Sequence, residues 1–489
     1  MFSRYFDSAR VPASLALLSA ATLSLSLAAC GDSSAEEGND EVDESADTDA
    51  GSDSSDASTG EEGSSGSGSE TAETTADDTT TADTTTTEGS TDAGTETADD
   101  TTTADTSTDT STEEDTTEED TGIKLDVADE GCQPPLGGNI QSFIWIANSN
   151  EGTVSKIDTQ ALVEVGRYQV LPGGGGSPSR TSVNQQGDMA VAARTGGVTK
   201  IIGNSMTCPD TNGTPGVQTS AGPNDVVAWD DEECRAWHAP MPYTNMRAVA
   251  WTASVWDDNN CLWETPQLWV GGNTSADGSV EVRLLDGDDG TTIQTVAIPE
   301  LSLPLGHGAY GAVVDSEDNL WLAQIYENQM VRVDREDFSY ELYDEPEHVY
   351  GIAIDSDDRV FLCNRHVMRF DAMSSVFDTS LIEDWQGFYG HTGGCMIDDQ
   401  GRLWKGIDDA LYAVDTDTLE IVDTIAMPEG LMWGIAIDFH GYVWSIPKGG
   451  DTAYRVDPDT HDIESVGGLV GAYTYSDMTG FSLEQVNPQ

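Results

Sequence analysis

The sequence predicts an all-β, seven-bladed β-propeller carried at the end of a long disordered tether. Three observations point there. Four segments repeat the same strand–turn–strand pattern, "GAVVDSEDNLWLA" from Gly311, "GIAIDSDDRVFLC" from Gly351, "GCMIDDQGRLWKG" from Gly394 and "GIAIDFHGYVWSI" from Gly434. Their glycines stand 40, 43 and 40 residues apart. And the 12 Trp all lie between Trp145 and Trp444, which confines the core material to the second part of the chain.

Each unit reads as a short apolar strand, a polar turn and a second strand holding Trp321, Phe361, Trp404 or Trp444. A third strand ends in Asp ("MVRVD", "VMRFD", "LYAVD", "AYRVD") and a looser fourth follows. Four short strands repeated every 40–50 residues are the signature of propeller blades. Earlier units diverge more. One begins near Ser177, and another, "MRAVAWTA … QLWVGG … SVEVRLLD", carries an insertion between its first two strands. The first unit, from Phe143, lacks a first strand, whereas "TGFSLEQV" from Gly480 begins a repeat that nothing completes. The two ends are therefore expected to share a blade, which would close the ring and leave no open sheet edge.

The chain before this domain has a different character. Residues 31–123 are almost all Asp, Glu, Ser, Thr, Ala and Gly, with 31 acids and no Lys, Arg or aromatic residue. Such a composition cannot bury enough apolar surface to offset its ordering entropy. Before it, a short basic stretch and the apolar "VPASLALLSAATLSLSLAAC" read as a signal peptide. It ends at Leu27-Ala28-Ala29-Cys30 and resembles a bacterial lipoprotein lipobox, which implies that Cys30 is acylated. The expected division is a signal peptide over 1–29, a lipidated Cys30 with its linker over 30–130, and the propeller over 131–489. Gly31 rather than Asp follows Cys30, so outer-membrane sorting is expected.

The formal net charge is −69, of which roughly −39 belongs to residues 124–489. A surface so acidic excludes nucleic acid and anionic membrane as partners, since both need basic patches. The expected partners are a bilayer reached through Cys30 and a small-molecule, peptide or protein ligand, bound by a monomer.

The recurring acids and the histidines demand separate readings. Asp315, Asp355, Asp398 and Asp438 recur at one place in successive blades, as turn-capping residues do. His307, His348 and His391 precede the first-strand glycine by four, three and three residues in adjacent blades. First strands line a propeller's channel, so these imidazoles are candidates for binding or catalysis at its mouth, with zinc or magnesium. The alternative is that they are loop residues bonding their neighbours.

The insertion "TCPDTNGTPGVQTSAGPNDVVAWDDEECRAWH" follows the second unit, over about 203–245. Cys208 and Cys234 bracket it and read as a disulfide in an exported protein. Asp210, Asn212, Thr214 and Thr219 resemble a calcium loop, against the simpler reading of a disulfide-pinned turn region. Cys363 with Cys395 would join neighbouring blades, leaving Cys132 with Cys261.

Residues 143–486 resemble the virginiamycin B lyase (streptogramin lyase) group of propellers, and more loosely NHL-type and gluconolactonase-like propellers. The resemblance rests on the "YGIAID"-type units at Tyr350–Phe361 and Trp433–Trp444. It implies a metal-dependent lyase or lactonase that opens a ring by elimination with His and Glu. The lyase repeats commonly run W-F-T-E, yet the equivalent positions here are Asn148, Gln324, Asn364, Ile407 and Pro447. The reading preferred is therefore a surface-displayed binding module, with the lyase and a structural envelope lipoprotein as alternatives.

Overall fold

The computed structural model describes residues 142–488 apart from 275–277, 303–308, 326–327, 348, 365 and 381–391. The regular structure of the described residues is almost entirely antiparallel strand. Five separate four-stranded sheets begin at Pro178–Val183, Asn245–Trp251, Gly311–Val314, Gly351–Ile354 and Thr392–Ile397. A seven-stranded sheet begins at Met432–Ile437, runs through Ile463–Ala472 and continues into Phe143–Asn148, Thr153–Asp158 and Val163–Gln169. The first strands of successive sheets touch one another in chain order, which is the arrangement of propeller blades about an axis.

Local chemistry explains why the same unit recurs. In Asp315, Asp398 and Asp438 one carboxylate oxygen caps the turn between the first two strands, taking backbone N–H groups two and four residues on. The other oxygen accepts the indole N–H of Trp321, Trp404 or Trp444 at 2.8–2.9 Å. Asp355 has Phe361 in place of Trp, and Arg359 Nε fills the vacancy at 2.7 Å. These acids are scaffold. They tie each turn to the ring that packs between sheets, satisfying an otherwise costly buried indole donor.

The turn after the third strand is equally uniform. Asp158, Asp286, Asp334, Asp371, Asp415 and Asp457 each accept the N–H of the residue two further on. The residue four further on then has positive φ, between 53° and 74°, at Leu162, Gly290, Phe338, Ser375, Leu419 and His461. An Asp side chain that mimics a turn bond lets non-glycine residues occupy this left-handed position.

Two expectations are corrected. The insertion does not follow the second unit but lies inside it, because Arg235–Pro240 pairs with Gly197–Ile201 as the outer strand of that sheet. The 202–234 segment thus replaces the Asp-capped turn. Second, "TGFSLEQV" supplies no strand: Phe481–Val486 is a helix. The preceding residues meet the first strand of the chain instead. Tyr473 N–H donates to Ala147 O at 3.1 Å and Trp145 N–H to Met478 O at 2.9 Å. Gly480, with φ 86°, and the carboxylate of Asp477, which accepts from Gly480 and Leu483, turn the chain into the helix before a further strand can form.

Candidate functional site

The first strands converge on an axis that is filled, and Tyr475 fills it. Its hydroxyl donates to Ile352 O at 3.0 Å and accepts the N–H of the same residue. A Cβ on Gly394 would sit 2.2 Å from the Tyr475 ring, and one on Gly311 3.3 Å from it. At Gly394 the missing side chain is therefore a packing requirement for the ring, whereas a Cβ on Gly351 or Gly434 would instead approach the backbone of Cys395 at 3.2 Å or of Thr474 at 2.8 Å.

On the side of the axis where the first strands begin, aromatic rings gather. Tyr310 and Tyr350 immediately precede the glycines Gly311 and Gly351, and Trp433 precedes Gly434. Tyr310 Oη and Tyr473 Oη lie 2.8 Å apart, Tyr350 donates to Tyr473 Oη at 3.0 Å, and Trp433 Nε1 donates to Tyr350 Oη. Each phenol thus finds a partner in another.

Against these rings stand four cations. Arg180 is fully buried, its guanidinium carbon 4.7 Å from the Tyr310 ring centre and 4.8 Å from that of Tyr475. Arg247, also buried, stands 4.7 Å over Tyr310. Arg194 stands 4.6 Å over Tyr473, and Lys448 4.3 Å over Trp433. Buried cation–ring contacts of this kind stabilise by up to about 2 kcal/mol each. The Nε atoms of Arg180 and Arg194 are buried and have no hydrogen-bond acceptor.

Register shows how the arginines reach the axis. The hairpin that closes with Val314 opposite Leu320 closes with Val183 opposite Met189 in the second sheet and Trp251 opposite Leu268 in the third. Counting back, Arg180 takes the place of Gly311 and Arg247 that of Tyr310. One part of the ring is cationic and the other aromatic.

The electrostatics follow from this crowding. Burial alone would raise the Tyr473 phenol, but Arg247, Arg180 and Arg194 together outweigh it and bring it down to about 7. Burial, then the neighbouring charge of Arg247, holds Arg194 below its usual range. Tyr350 is pushed up, by burial first and then by the adjoining phenols.

A second polar group lies toward the fifth and sixth sheets in chain order. Glu347 bonds His366 through both oxygens, to Nδ1 at 2.7 Å and to the backbone N–H at 3.2 Å. Lys405, fully buried, donates to Asn364 O, and burial lowers it to about 7 although Glu347 acts the other way.

Not every expected site residue falls in view. His307, His348 and His391 lie outside the described residues, as do Cys30 and Cys132. The Cys208–Cys234 and Cys363–Cys395 disulfides are present, and Cys261 is also disulfide-bonded. In the insertion, Asp210 accepts Gly216 N–H at 3.1 Å and Asn212 Oδ1 accepts Thr214 N–H at 2.8 Å. The loop's organiser is Glu233, which takes the N–H groups of Thr211, Asn212 and Gln218. Thr219 Oγ1 is buried. Among the described residues no three His, Cys, Asp or Glu side chains gather as a metal site. The arginine–tyrosine cluster escaped sequence reasoning. The trace it leaves is an Arg at the repeat's glycine or aromatic position, visible only once the divergent second and third units are aligned.

No protein-family model matches the chain, and no curated protein does. Among solved structures it is similar to a streptogramin B lyase, at 12% identity and TM-score 0.44, over 62% of this chain and 86% of that one. A catalytically inactive virginiamycin B lyase from Staphylococcus aureus with quinupristin aligns at 13% identity and TM-score 0.40, over 59% and 84%. A WD40 β-propeller domain aligns at 10% identity and TM-score 0.41, over 61% and 85%. These likenesses concern fold and carry no activity to this chain.

Proposed function

We propose that this protein is an exported, lipid-anchored, seven-bladed propeller that binds a ligand at its axial mouth without turning it over. The observation that carries the reading is a pair of buried Nε donors without an acceptor, those of Arg180 and Arg194, beside the axial rings; the other two nitrogens of Arg180 donate to Ser179 O and Tyr350 Oη. Buried donors left unsatisfied cost about 1–3 kcal/mol each, and a ligand acceptor would recover that.

Seven blades follow if the seven-stranded sheet is divided where its halves meet, at the single ladder pair Asn148–Ala472. That leaves a four-stranded blade from Met432 and a three-stranded one from Phe143, with residues 473–478 on the inner side of the latter. Lipid anchoring is supported by the lipobox ending at Cys30 and the acidic tether behind it.

Binding is preferred to lyase chemistry because of what stands where the lyase repeats place Glu. Asn148 donates to Thr153 and Ser155 and accepts Val470 N–H, while Gln324 accepts Ala309 N–H. Asn148 is spent on the scaffold, Gln324 bonds it through Oε1 while its Nε2 has no partner, and neither amide can serve as the base that an elimination needs together with an acid or metal. The test supplies zinc or magnesium to the purified protein with cyclic depsipeptide and lactone substrates. No ring opening is expected. Turnover that His348→Ala abolishes would overturn the reading.

A further inference from the structure

Among the described residues, the axial cluster brings three arginines onto one ring. Three guanidiniums stand within 4.6–6.0 Å of the Tyr473 ring centre, those of Arg194, Arg180 and Arg247. Neither Arg180 nor Arg194 has a carboxylate partner among the described residues. Several arginines elsewhere are matched, Arg167 to Glu164, Arg359 to Asp355, Arg402 to Asp398 and Arg455 to Glu464. Arg235 and Arg335 have no ion pair among the described residues either, but donate to Trp229 O and Gln267 Oε1. Arg180 and Arg194 differ in standing together on the axis, each with a buried Nε that has no acceptor.

We infer that the axial mouth binds a carboxylate, held by Arg194 beside the Tyr473 ring and drawn in by the field of the buried Arg180 and Arg247. The inference rests on the binding reading above and names its ligand class. Guanidinium presents a planar fork that matches a carboxylate with two parallel hydrogen bonds. The Tyr473 phenolate offsets at most one of the three charges. Arg194 and Tyr473 are partly exposed, so a ligand meets them first. The chain's net charge of −69 favours a single negative charge over a polyanion, which it would repel more strongly. Lys448 adds a further positive charge at the same mouth, its Nζ 4.3 Å over the ring of buried Trp433 and 5.8 Å from that of Tyr473.

The experiment is calorimetric titration of the purified full chain with benzoate and N-acetyl-phenylalanine, against their neutral amides, benzamide and N-acetyl-phenylalaninamide. Both acids stand in for a carboxylate, one as a free small acid and the other as a chain end. At least one acid is expected to bind about ten-fold or more tightly than its amide, a difference of about 1.4 kcal/mol. Arg194→Met should erase that preference and Arg194→Lys should keep part of it, with unchanged melting showing that both variants fold. If only N-acetyl-phenylalanine binds, the ligand is a chain end; if only benzoate binds, it is a small acid. Acids and amides that bind equally, with Arg194→Met silent, would overturn the carboxylate and spare the binding reading. No acid binding at all also overturns it, and the turnover assay then judges the binding reading separately.

Discussion

The two oxygens of one aspartate do two jobs in this fold. In Asp398, Oδ1 shapes the turn through Gln400 and Arg402 while Oδ2 holds the indole of Trp404. Glu345 presents the opposite case, an acid with nothing to do. Its side chain is buried, both oxygens lack a partner, and burial pushes it up to about 9. The folded protein keeps that proton to about pH 9, whereas the unfolded chain releases it near 4.5. Its contribution is therefore fully present below about 4.5 and is lost as pH rises through 9. Glu345→Gln removes this liability. Urea unfolding should find the variant more stable by up to about 3 kcal/mol at pH 7 and no more stable at pH 4. A gain independent of pH would show that the carboxyl is not held protonated.

At the scale of elements, closure is carried by an irregular segment. Residues 473–478 meet the Phe143–Asn148 strand through two backbone bonds, and the same segment delivers Tyr473 and Tyr475 to the axis. Strand closure and site assembly are thus one event. Tyr475→Ala should destabilise the domain by about 3–5 kcal/mol, because the cavity it leaves is walled by glycines that cannot fill it. Tyr475→Phe should cost about 1–3 kcal/mol, because the buried N–H and C=O of Ile352 lose their partner. Equal, small losses in a urea series would mean that the ring is not the axial plug. The buried Cys363–Cys395 bridge also ties neighbouring sheets together, joining the second strand of one sheet to the first of the next.

At the scale of the whole molecule, residues 31–123 carry 31 acids and no Lys or Arg, and in the lipoprotein proposal they follow an acylated Cys30. Acyl chains there would contribute about 0.8 kcal/mol per buried CH₂ and hold the protein at a membrane. Cys30→Ala should move the protein from the detergent phase to the aqueous phase in a partition assay. Unchanged partitioning would remove the lipoprotein reading while leaving the axial site as it is.

What the sequence by itself determined is the repeating unit. Asp438 and Trp444 are six residues apart, Asp457 and His461 four, and interactions over such spans recur wherever the residues do. Terminal closure was legible too, as an unfinished repeat, though its form was not. A reading by analogy put a strand at 480–487, where Gly480 and Asp477 start a helix. The axial site was decided by tertiary structure. Arg180, Arg194, Arg247, Tyr310, Tyr350, Trp433, Tyr473 and Tyr475 come from seven stretches spread over nearly 300 residues. No local spacing links them. They meet because the inner strands of successive sheets and the 473–478 segment converge on one axis.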